Sequence, residues 1–531
     1  MSKNIIICSD GTGNSAVKGR GTNVFKLFEA IDLNGHRTNP ELTPQVAFYD
    51  DGVGTENFKP LKIFAGATGF GLSRNVKQLY KELVRIYEPG DRIFLFGFSR
   101  GAFTVRTLAD FIDKCGILDA QNHSLDTADK LEKMVRKTYG VYRKSYRTAL
   151  MELFRGKPDQ SVIRQFRDAH CHPGKSTIAF IGVWDTVDAV GLPFHLSDFI
   201  NMVFYRFKFP DYYLSKSVER ACHALAIDDE RHSFHPLLWN QDKGDDERIE
   251  QVWFVGAHSN VGGGYPKQGV SLAALNWMMQ KAGGSHLRFL DSDEKLYREH
   301  MNVDDKLYDP RAGLGIFYRW KPRDIAAMCR ENNVQPVIHL SVLERIAHGT
   351  EDYTPGNIPP DARVVITPTG KPGEDAVALE RAQAVESVLQ TAHTDGKPLL
   401  FHVKTEIIIG RFSYYLYLLA CIAAVLAASI PEGEDVFSNP LLLLKNTGLL
   451  IFNLITFKFS EIFASLKRLA LSPDILGCLG AAFLVSYLLA LFTDRRLSNV
   501  FSQFWHVAQP KLLSALKRAR EAGINSISKS R

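Results

Sequence analysis

A serine between two glycines, Ser99, is the first residue whose setting could do chemistry. The segment Gly97–Gly101 (GFSRG) has the G-x-S-x-G pattern of a nucleophile elbow, where missing side chains let a strand and a helix meet at a tight turn. The pattern is common by chance, so its neighbours decide its value. The apolar run 92–98 precedes it, and apolar residues at helical spacing follow it as far as Gly116. This order predicts strand, turn and helix, with Ser99 as a nucleophile.

Two further residues complete a candidate triad in the chain order serine, aspartate, histidine. Asp185 closely follows the predicted strand 177–183, and His258 follows the predicted strand 250–255 in a glycine-rich segment. His258 would take the proton of the Ser99 hydroxyl, while Asp185 would fix the imidazole tautomer and offset its charge. The alternatives are a helix-capping role for Asp185 and an ordinary surface position for His258.

A glycine-rich loop, Asp10–Asn14 (DGTGN), comes directly after the predicted strand Asn4–Cys8. Backbone N–H groups at Gly11 and Thr12 would form one half of an oxyanion hole, and the N–H of Arg100 would form the other half. A phosphate-binding loop is the rival interpretation, but the segment lacks the G-K-[ST] and G-x-G-x-x-G patterns. A purely structural turn stays open as well, because glycine and aspartate suit turns.

The elements around these residues predict an α/β fold with a mostly parallel, α/β-hydrolase-like sheet flanked by helices. Residues 45–49 form a further strand, and 73–87 form an amphipathic helix that Ser73 would cap. Residues 119–174 are polar and helical in character, and they are interpreted as an insertion over the cleft. The range 192–245 is interpreted as a second insertion or lid, whose aromatic residues serve either as core or as a wall for an acyl chain.

Composition excludes several classes of protein. The 531 residues carry a formal net charge of +6 with scattered basic residues, so no nucleic-acid partner is expected. The seven cysteines are odd in number and form no C-x-x-C pair, which argues against a disulfide framework and a zinc site. His223, His232 and His235 lie near carboxylates, but their spacing fits structural hydrogen bonds better than metal binding. The apolar run at the N-terminus is too short for a signal peptide, which places the catalytic part in the cytoplasm.

Five ordered motifs together resemble one known family, and a sixth segment, at 353–359, is a further match. They are DGTGN at 10–14, GFSRGA at 97–102, GVWDTV at 182–187, ALAIDDERHSFHPLLW at 224–239, WFVGAHSNVGGGY at 253–265 and YTPGNIP at 353–359. The sequence resembles the α/β-hydrolase family of the type VI secretion lipase effectors, long filed under unknown function. The resemblance covers about residues 1–365.

The resemblance implies a phospholipase or related carboxylic-ester hydrolase without a catalytic metal or cofactor, and it places the triad on Ser99, Asp185 and His258. One position departs from the family. The family usually reads H-S-D-V-G-G-G-Y, and this chain has Asn260 at the aspartate position. If that aspartate orients the histidine, activity would change. Asn260 and Asp10 are therefore expected as supporting residues of the site.

The C-terminal part contains apolar runs that predict membrane spans. Residues 414–430 and 475–492 are long enough to cross a bilayer, whereas the run 441–457 is interrupted by polar residues and is expected to be interfacial or re-entrant. The alternative is a buried helical hairpin. Two spans would put both flanks on one side, and the arginines and lysines there favour the cytoplasm. Three spans would put the tail outside.

The predicted division is a catalytic domain at 1–365, a connector at 366–410, membrane-anchoring helices at 411–496 and a basic cytoplasmic tail at 497–531. The predicted protein is a multi-pass membrane protein, of the bacterial inner membrane, with a cytoplasmic catalytic domain. Its expected function is hydrolysis of lipid esters, with the lipid bilayer and the lipid substrate as partners. The alternatives are a membrane-associated scaffold that has lost turnover, and an esterase or thioesterase for soluble acyl substrates.

Overall fold

The structure is a computed structural model that describes residues 2–11, 21–51, 70–144, 160–174, 176–188, 212–242, 244–312, 320–393, 395–428 and 473–530. The chain forms two compact units. The first contains Met1–Tyr318, Pro322–Pro398 and Phe504–Arg531, and the second contains Arg319–Lys321 and Leu399–Gln503. All the predicted catalytic residues belong to the first unit.

An eight-stranded sheet forms the centre of the first unit. Its strands are β1 (Asn4–Ser9), β2 (Gln45–Asp50), β3 (Arg92–Phe98), β4 (Ile178–Trp184), β5 (Ala221–Ala226), β6 (Ile249–Phe254), β7 (Val337–His339) and β8 (Arg363–Val365). Their order is 2-1-3-4-5-6-7-8, and every pairing among these described strands is parallel. The predicted α/β class with a mostly parallel sheet is thereby confirmed. Because parallel strands end at one edge, the loops after them can converge on a single site.

Helices cover both faces of this sheet. The helices of the first unit are α1 (Asn23–Glu29), α2 (Gly35–Thr38), α3 (Phe70–Ile86), α4 (Arg100–Cys115), α5 (Ala128–Lys144), α6 (Gln160–His170), α7 (His258–Gly262), α8 (Gly269–Gly283), α9 (Asp291–His300), α10 (Ile325–Glu331), α11 (Leu340–His348) and α12 (Pro372–Ala392). Alternate strand residues enter different cores: Ile5 packs with the α3–α6 side, and Ile6 packs with the α1 and α8 side. Burial on both faces explains why the strands read as continuous apolar runs.

The helical prediction for 119–174 holds for its described residues, whereas the predicted cap of the preceding helix is wrong. Helix α3 begins at Phe70, so Ser73 lies inside it, where the Tyr139 hydroxyl donates to Ser73 Oγ at 3.3 Å. Helices α5 and α6 pack on α3 and α4, and Tyr142 donates to Asp110 at 2.7 Å. These described helices therefore belong to one core, and they contact α4 near its C-terminal end rather than at Ser99.

The interpretation of 192–245 as one insertion is wrong at its C-terminal end, because β5 lies within that range and is a central strand. The short run ACHALA did not predict a strand because its residues are mostly small. Register explains the small residues: Ala224 lies between Trp184 of β4 and Val252 of β6. The aromatic residues between 189 and 211 lie outside the described residues.

The predicted connector and tail also differ from the structure. Helix α12 belongs to the first unit, since Glu386 accepts the N–H of Val364 in β8 at 2.8 Å. Residues from Phe504 onward also belong to this unit, and the buried indole of Trp505 donates to the Pro355 carbonyl at 2.7 Å. The sequence pattern missed both contacts because a charged amphipathic helix looks the same whether it packs on a domain or lies free.

The second unit contains most of the apolar C-terminal sequence. Helix α13 (Lys404–Ala428) and helix α14 (Pro473–Ser530) are each long and apolar enough to cross a membrane, by length and composition. Several large apolar side chains on them are exposed, including Phe412 at 60% and Leu419 at 64%. Such exposure argues against the alternative of a buried hairpin. The predicted third stretch, 441–457, lies outside the described residues.

Candidate active site

The elbow at Ser99 has the geometry that its sequence predicts. Ser99 has φ 58° and ψ −123°, a combination that is strained for any residue with a side chain. The flanking glycines permit close packing: a Cβ on Gly97 would lie 2.6 Å from the Gly101 carbonyl oxygen, and a Cβ on Gly101 would lie 2.1 Å from the carbonyl oxygen of Ser9. Ser99 therefore stands at the carboxyl end of β3, directly before the first turn of α4.

Asp185 directly follows β4, the neighbouring strand, and is fully buried. The Ser99 N–H donates to the Trp184 carbonyl at 3.1 Å, so the two predicted catalytic residues leave adjacent strands at the same level. Asp185 also has a positive φ, 38°. His223 supports the next residue by accepting the Thr186 N–H at 3.1 Å. Burial, with Arg106 nearby, lowers the pKa of His223 to about 3, so this ring is a neutral structural acceptor.

His258 begins helix α7 and contacts Asp185 directly. Its Nδ1 lies 2.6 Å from Asp185 Oδ2, and its ring lies between those of Phe98 and Phe234, at centroid distances of 4.6 and 5.1 Å. The structure therefore brings the predicted acid and base together and sets the base beside the residue that precedes Ser99. Within the described residues, Ser99 Oγ makes no hydrogen bond to the His258 ring. Such contacts often tighten only when substrate binds.

The electrostatics of the pair assign the tautomer. Burial would raise the pKa of Asp185, but Arg323 and His258 outweigh burial and hold this pKa below its usual range. Asp185 is thus ionised and accepts a hydrogen bond, which requires His258 to carry its proton on Nδ1. Burial lowers the pKa of His258, against the opposing effect of Asp185. The neutral ring leaves Nε2 as a proton acceptor, which is the form that a general base needs.

Arg323 is a site residue that the sequence analysis missed. It is 1% exposed, and its guanidinium donates to both oxygens of Asp185, from Nη1 to Oδ1 at 2.8 Å and from Nη2 to Oδ2 at 2.9 Å. It also donates to the carbonyls of Ala226 and Phe234. No spacing or motif links Arg323 to Asp185, because it lies 138 positions further along the chain.

Asp229 and Arg231 hold the start of α7. The His258 N–H donates to Asp229 Oδ2 at 3.2 Å, and Arg231 pairs with the same carboxylate at 2.6 Å. The Arg231 guanidinium lies 3.5 Å from the centroid of the Phe234 ring, which packs on His258. The segment 224–239 marked the family resemblance, and these contacts show what its acidic and basic residues do in the fold.

Asn260 supports the loop of His258 from within α7. Its side-chain oxygen accepts the N–H of Ala257 at 3.1 Å, which satisfies a donor at the helix start. A carboxylate at this position would offer the same acceptor oxygen. Among the described residues, no hydrogen bond joins the Asn260 side chain to the His258 ring.

The two halves of the predicted oxyanion hole are the loop at Gly11 and Thr12 and the start of α4 at Arg100. The N–H of Gly11 donates to Asp10 Oδ1 at 2.6 Å, so it is engaged within its own loop, and Thr12 lies outside the described residues. Asp10 is buried and also accepts from the hydroxyls of Thr22 and Tyr49, each at 2.6 Å, which ties this loop to its neighbours. Arg100 is the first residue of α4 and directly follows Ser99, so its backbone N–H lies at the start of this helix.

A second buried carboxylate, Asp228, connects the YTPGNIP motif to the histidine loop. Asp228 Oδ2 accepts from the Tyr353 hydroxyl at 2.8 Å and from the Gly256 N–H at 2.7 Å. Burial raises the pKa of Asp228 from 3.8 to about 6. Because the folded state holds this proton more tightly, the group's contribution to stability is complete below about pH 4 and is lost as pH rises through about 6.

We expect Asp228→Asn to become more stable relative to wild type as pH rises from 5 to 8, since the amide has no charge to bury. The expected change is about 1.4 kcal/mol, because only about one pKa unit of the shift, from pH 5 to the folded-state pKa of about 6, falls within this range. Thermal unfolding of both detergent-purified proteins at pH 5, 6, 7 and 8 measures it. A difference in Tm that stays constant across this range would contradict the assignment.

Comparison with known proteins gives one family match and one curated relative. Residues 3–281 match the family described as the type VI secretion system phospholipase effector Tle1-like catalytic domain. A curated protein of Saccharomyces cerevisiae, uncharacterized protein YEL023C, is 28% identical over 251 residues, which are 45% of this chain and 33% of the yeast protein. The chain thus spans about a third of that relative's length.

Two solved structures are also similar. One is an uncharacterized protein from Pseudomonas aeruginosa, with 19% identity, a TM-score of 0.32, and coverage of 73% of this chain and 60% of that chain. The other is the Tle1 effector bound to the VgrG spike of the type 6 secretion system, with 18% identity, a TM-score of 0.26, and coverage of 50% and 51%.

Proposed function

Because the chain belongs to the family of type VI secretion phospholipase effector Tle1-like catalytic domains, we propose that it is a membrane-anchored serine hydrolase that cleaves carboxylic esters of phospholipids or related lipids. The family supports lipase or phospholipase activity. The observation that supports the serine mechanism is the buried hydrogen bond of 2.6 Å between His258 and Asp185, beside the strained turn that carries Ser99.

The proposed first half-reaction forms an acyl-enzyme. Ser99 Oγ attacks the carbonyl carbon of the ester while His258 Nε2 accepts the hydroxyl proton. The resulting oxyanion is stabilised by the backbone N–H of Arg100, at the start of α4. When the tetrahedral intermediate collapses, the bond to the alcohol oxygen breaks, and His258 returns the proton to that leaving group, which departs as a lysolipid or alcohol.

The second half-reaction regenerates the enzyme. His258 takes a proton from water, the hydroxide attacks the acyl carbon, and Ser99 leaves with the proton returned by His258. Asp185 stays ionised throughout and orients the imidazole. No step needs a metal ion, and among the described residues no group of three or more histidine, cysteine, aspartate or glutamate side chains is arranged to hold one.

The membrane part of the proposal is supported by two apolar helical segments, α13 and the part of α14 that precedes Phe504. Helices α13 and α14 expose apolar side chains that a bilayer would cover. Arg411 before the first span and Arg495 and Arg496 after the second favour a cytoplasmic location for both flanks. A tethered active site would meet lipid at a high effective concentration, which makes a lipid ester the substrate class that this arrangement serves best.

Hydrolysis of lipids by the detergent-purified protein tests the proposed function. Mixed micelles of phosphatidylcholine, phosphatidylethanolamine and phosphatidylglycerol are offered beside short p-nitrophenyl esters and acyl-thioesters, and released fatty acid and lysolipid are identified by mass spectrometry. Protein inactivated with a fluorophosphonate is the control. We expect fatty acid and lysolipid from the untreated protein only.

Other outcomes decide between the remaining functions. Turnover of the soluble esters without turnover of any lipid would favour an esterase or thioesterase. Absence of both turnover and fluorophosphonate labelling would favour a membrane-associated scaffold. Asn260 does not by itself favour the scaffold, because its amide oxygen caps the Ala257 N–H as a carboxylate oxygen would.

The proposed anchoring makes a separate prediction. In a bacterial host, the full-length chain is expected to stay in the membrane pellet after extraction at alkaline pH, because two apolar spans are buried in lipid. Protease treatment of inner-membrane vesicles of known orientation then reports the side on which the catalytic domain lies. Release into the supernatant by alkaline carbonate would contradict the spanning interpretation.

A further inference from the structure

We propose that Arg323 is a positioning residue for the triad, which fixes both oxygens of Asp185 and offsets its charge, so that His258 is oriented without being locked into its protonated form. The proposal rests on the triad of Ser99, Asp185 and His258 proposed above. It concerns how the acid is held, and not which bond is cleaved.

The first support is the hydrogen bonding of Asp185. Each carboxylate oxygen accepts two bonds: Oδ1 accepts from the Ala226 N–H at 3.0 Å and from Arg323 at 2.8 Å, and Oδ2 accepts from His258 at 2.6 Å and from Arg323 at 2.9 Å. A carboxylate bound in this way by a planar guanidinium cannot rotate without breaking several bonds. Its direction toward His258 is therefore fixed.

The second support is the anchoring of Arg323 itself. The same two nitrogens that bind Asp185 also donate to the carbonyls of Ala226 and Phe234. Ala226 ends β5, and Phe234 packs its ring on His258. Arg323 thus connects the acid to a sheet strand and to the loop that covers the base, which gives it a role beyond pairing one charge.

The third support is the balance of charge around the base. His258, Asp185 and Arg323 form one buried cluster. Among the described residues, the other charged or titratable groups that act on this cluster are Asp228, Asp229, Arg231 and His223, and Arg106 lies near His223. Arg323 and Arg231 offset Asp185 and Asp229, while burial makes His223 neutral and raises the pKa of Asp228 to about 6. Without Arg323 the pocket would gain one net negative charge, which would stabilise the imidazolium.

Three variants test the proposal. Arg323→Gln removes the charge, and Arg323→Lys keeps the charge but loses the two-pronged contact. Arg345→Lys is the matched control, because Arg345 is also fully buried and donates to the carbonyls of Val303 and Asp305 and to Glu351 without touching the triad. The readouts are kcat/KM and the rate of fluorophosphonate labelling of Ser99 from pH 5 to pH 9, together with Tm.

The expected results differ in kind between the variants. In Arg323→Gln the acid limb of the pH profile moves to higher pH, because a base with a raised pKa becomes neutral later, and kcat/KM at the optimum falls roughly 100-fold from misplacement of the acid. In Arg323→Lys the limb stays near its wild-type position while kcat falls. In Arg345→Lys the Tm falls, and both the limb and kcat stay close to wild type.

Several outcomes would overturn the proposal. An Arg323→Gln variant with an unmoved acid limb, or with a loss of rate no larger than that of Arg345→Lys, would reduce Arg323 to a purely structural arginine. If Arg323→Gln does not fold, Arg323→Lys still decides, because it keeps the charge and loses the two-pronged contact: a kcat equal to that of Arg345→Lys would reduce Arg323 to a purely structural arginine.

Failure of this inference and failure of the proposed function are distinguishable. If the wild-type protein shows neither labelling nor turnover, the proposed serine mechanism is contradicted, and the positioning role, which depends on it, falls as well. If Ser99 is labelled in the wild-type protein but the pH profile is the same in the Arg323 variants, only the positioning role is contradicted.

Discussion

Ser99→Ala is expected to lower kcat for lipid-ester hydrolysis by about a millionfold, the loss seen when a triad serine is removed and only binding and the oxyanion donor remain. The reason is chemical, since alanine offers no oxygen to form the acyl-enzyme. The fold should survive, because Ser99 makes its backbone contacts through its N–H and not through its hydroxyl. Kinetics with the best ester and fluorophosphonate labelling together measure the effect.

A second buried serine provides the matched control. Ser9 lies at the end of β1, opposite Gly97 in the sheet register, and its hydroxyl donates to Asp50 at 3.2 Å. Ser9→Ala removes the same oxygen from the same edge of the sheet, so activity and labelling should persist. If Ser99→Ala retained hydrolysis at a rate close to that of Ser9→Ala, the nucleophile would have to be another residue.

Asp185→Asn is expected to lower kcat by about 10,000-fold, because an amide favours the wrong imidazole tautomer. In this protein the substitution should also cost stability. Arg323 would remain buried without its anionic partner, and breaking a buried ion pair from one side costs about 3–5 kcal/mol. The prediction is thus a joint loss of rate and of Tm, measured by steady-state kinetics and by thermal unfolding.

The double variant Asp185→Asn with Arg323→Gln separates the two losses. Removing both charges should restore much of the Tm, while kcat stays as low as in Asp185→Asn alone, because the tautomer is still wrong. Additive losses of Tm in the double variant would show that the two side chains stabilise the fold independently. A recovery of kcat would mean that the charge of Asp185 is dispensable.

The elements that carry the triad could be predicted from sequence because their signals are local. The buried strand, the two glycines around Ser99 and the apolar helix lie within one short stretch, and each restricts the backbone in a known way. Asp185 and His258 follow strands whose carboxyl ends must meet at one edge of a parallel sheet. Sequence order and strand direction were therefore enough to predict that Asp185 and His258 lie at one edge of the sheet; their roles as acid and base stay a proposal.

The residues that hold the triad could not be predicted in the same way. Arg323 reaches Asp185 from 138 positions away, and Tyr353 reaches Asp228 from 125 positions away, so no local pattern records either contact. Strand β5 was missed for a related reason, since its small residues fit the large side chains of the neighbouring strands. Features set by partners distant in the chain become visible only once the sheet is assembled.

The backbone of Ser99 has a consequence for how this protein can evolve. A residue at φ 58° and ψ −123° stores roughly 1–3 kcal/mol of strain, which glycine would largely relieve. In a lineage where selection for turnover is relaxed, Ser99→Gly would raise stability in one step and remove the proposed nucleophile. Selection for stability would then favour glycine over alanine at this position, because alanine keeps the backbone strain. A glycine at this position in a related sequence would therefore indicate a protein that keeps the fold but lacks the proposed nucleophile.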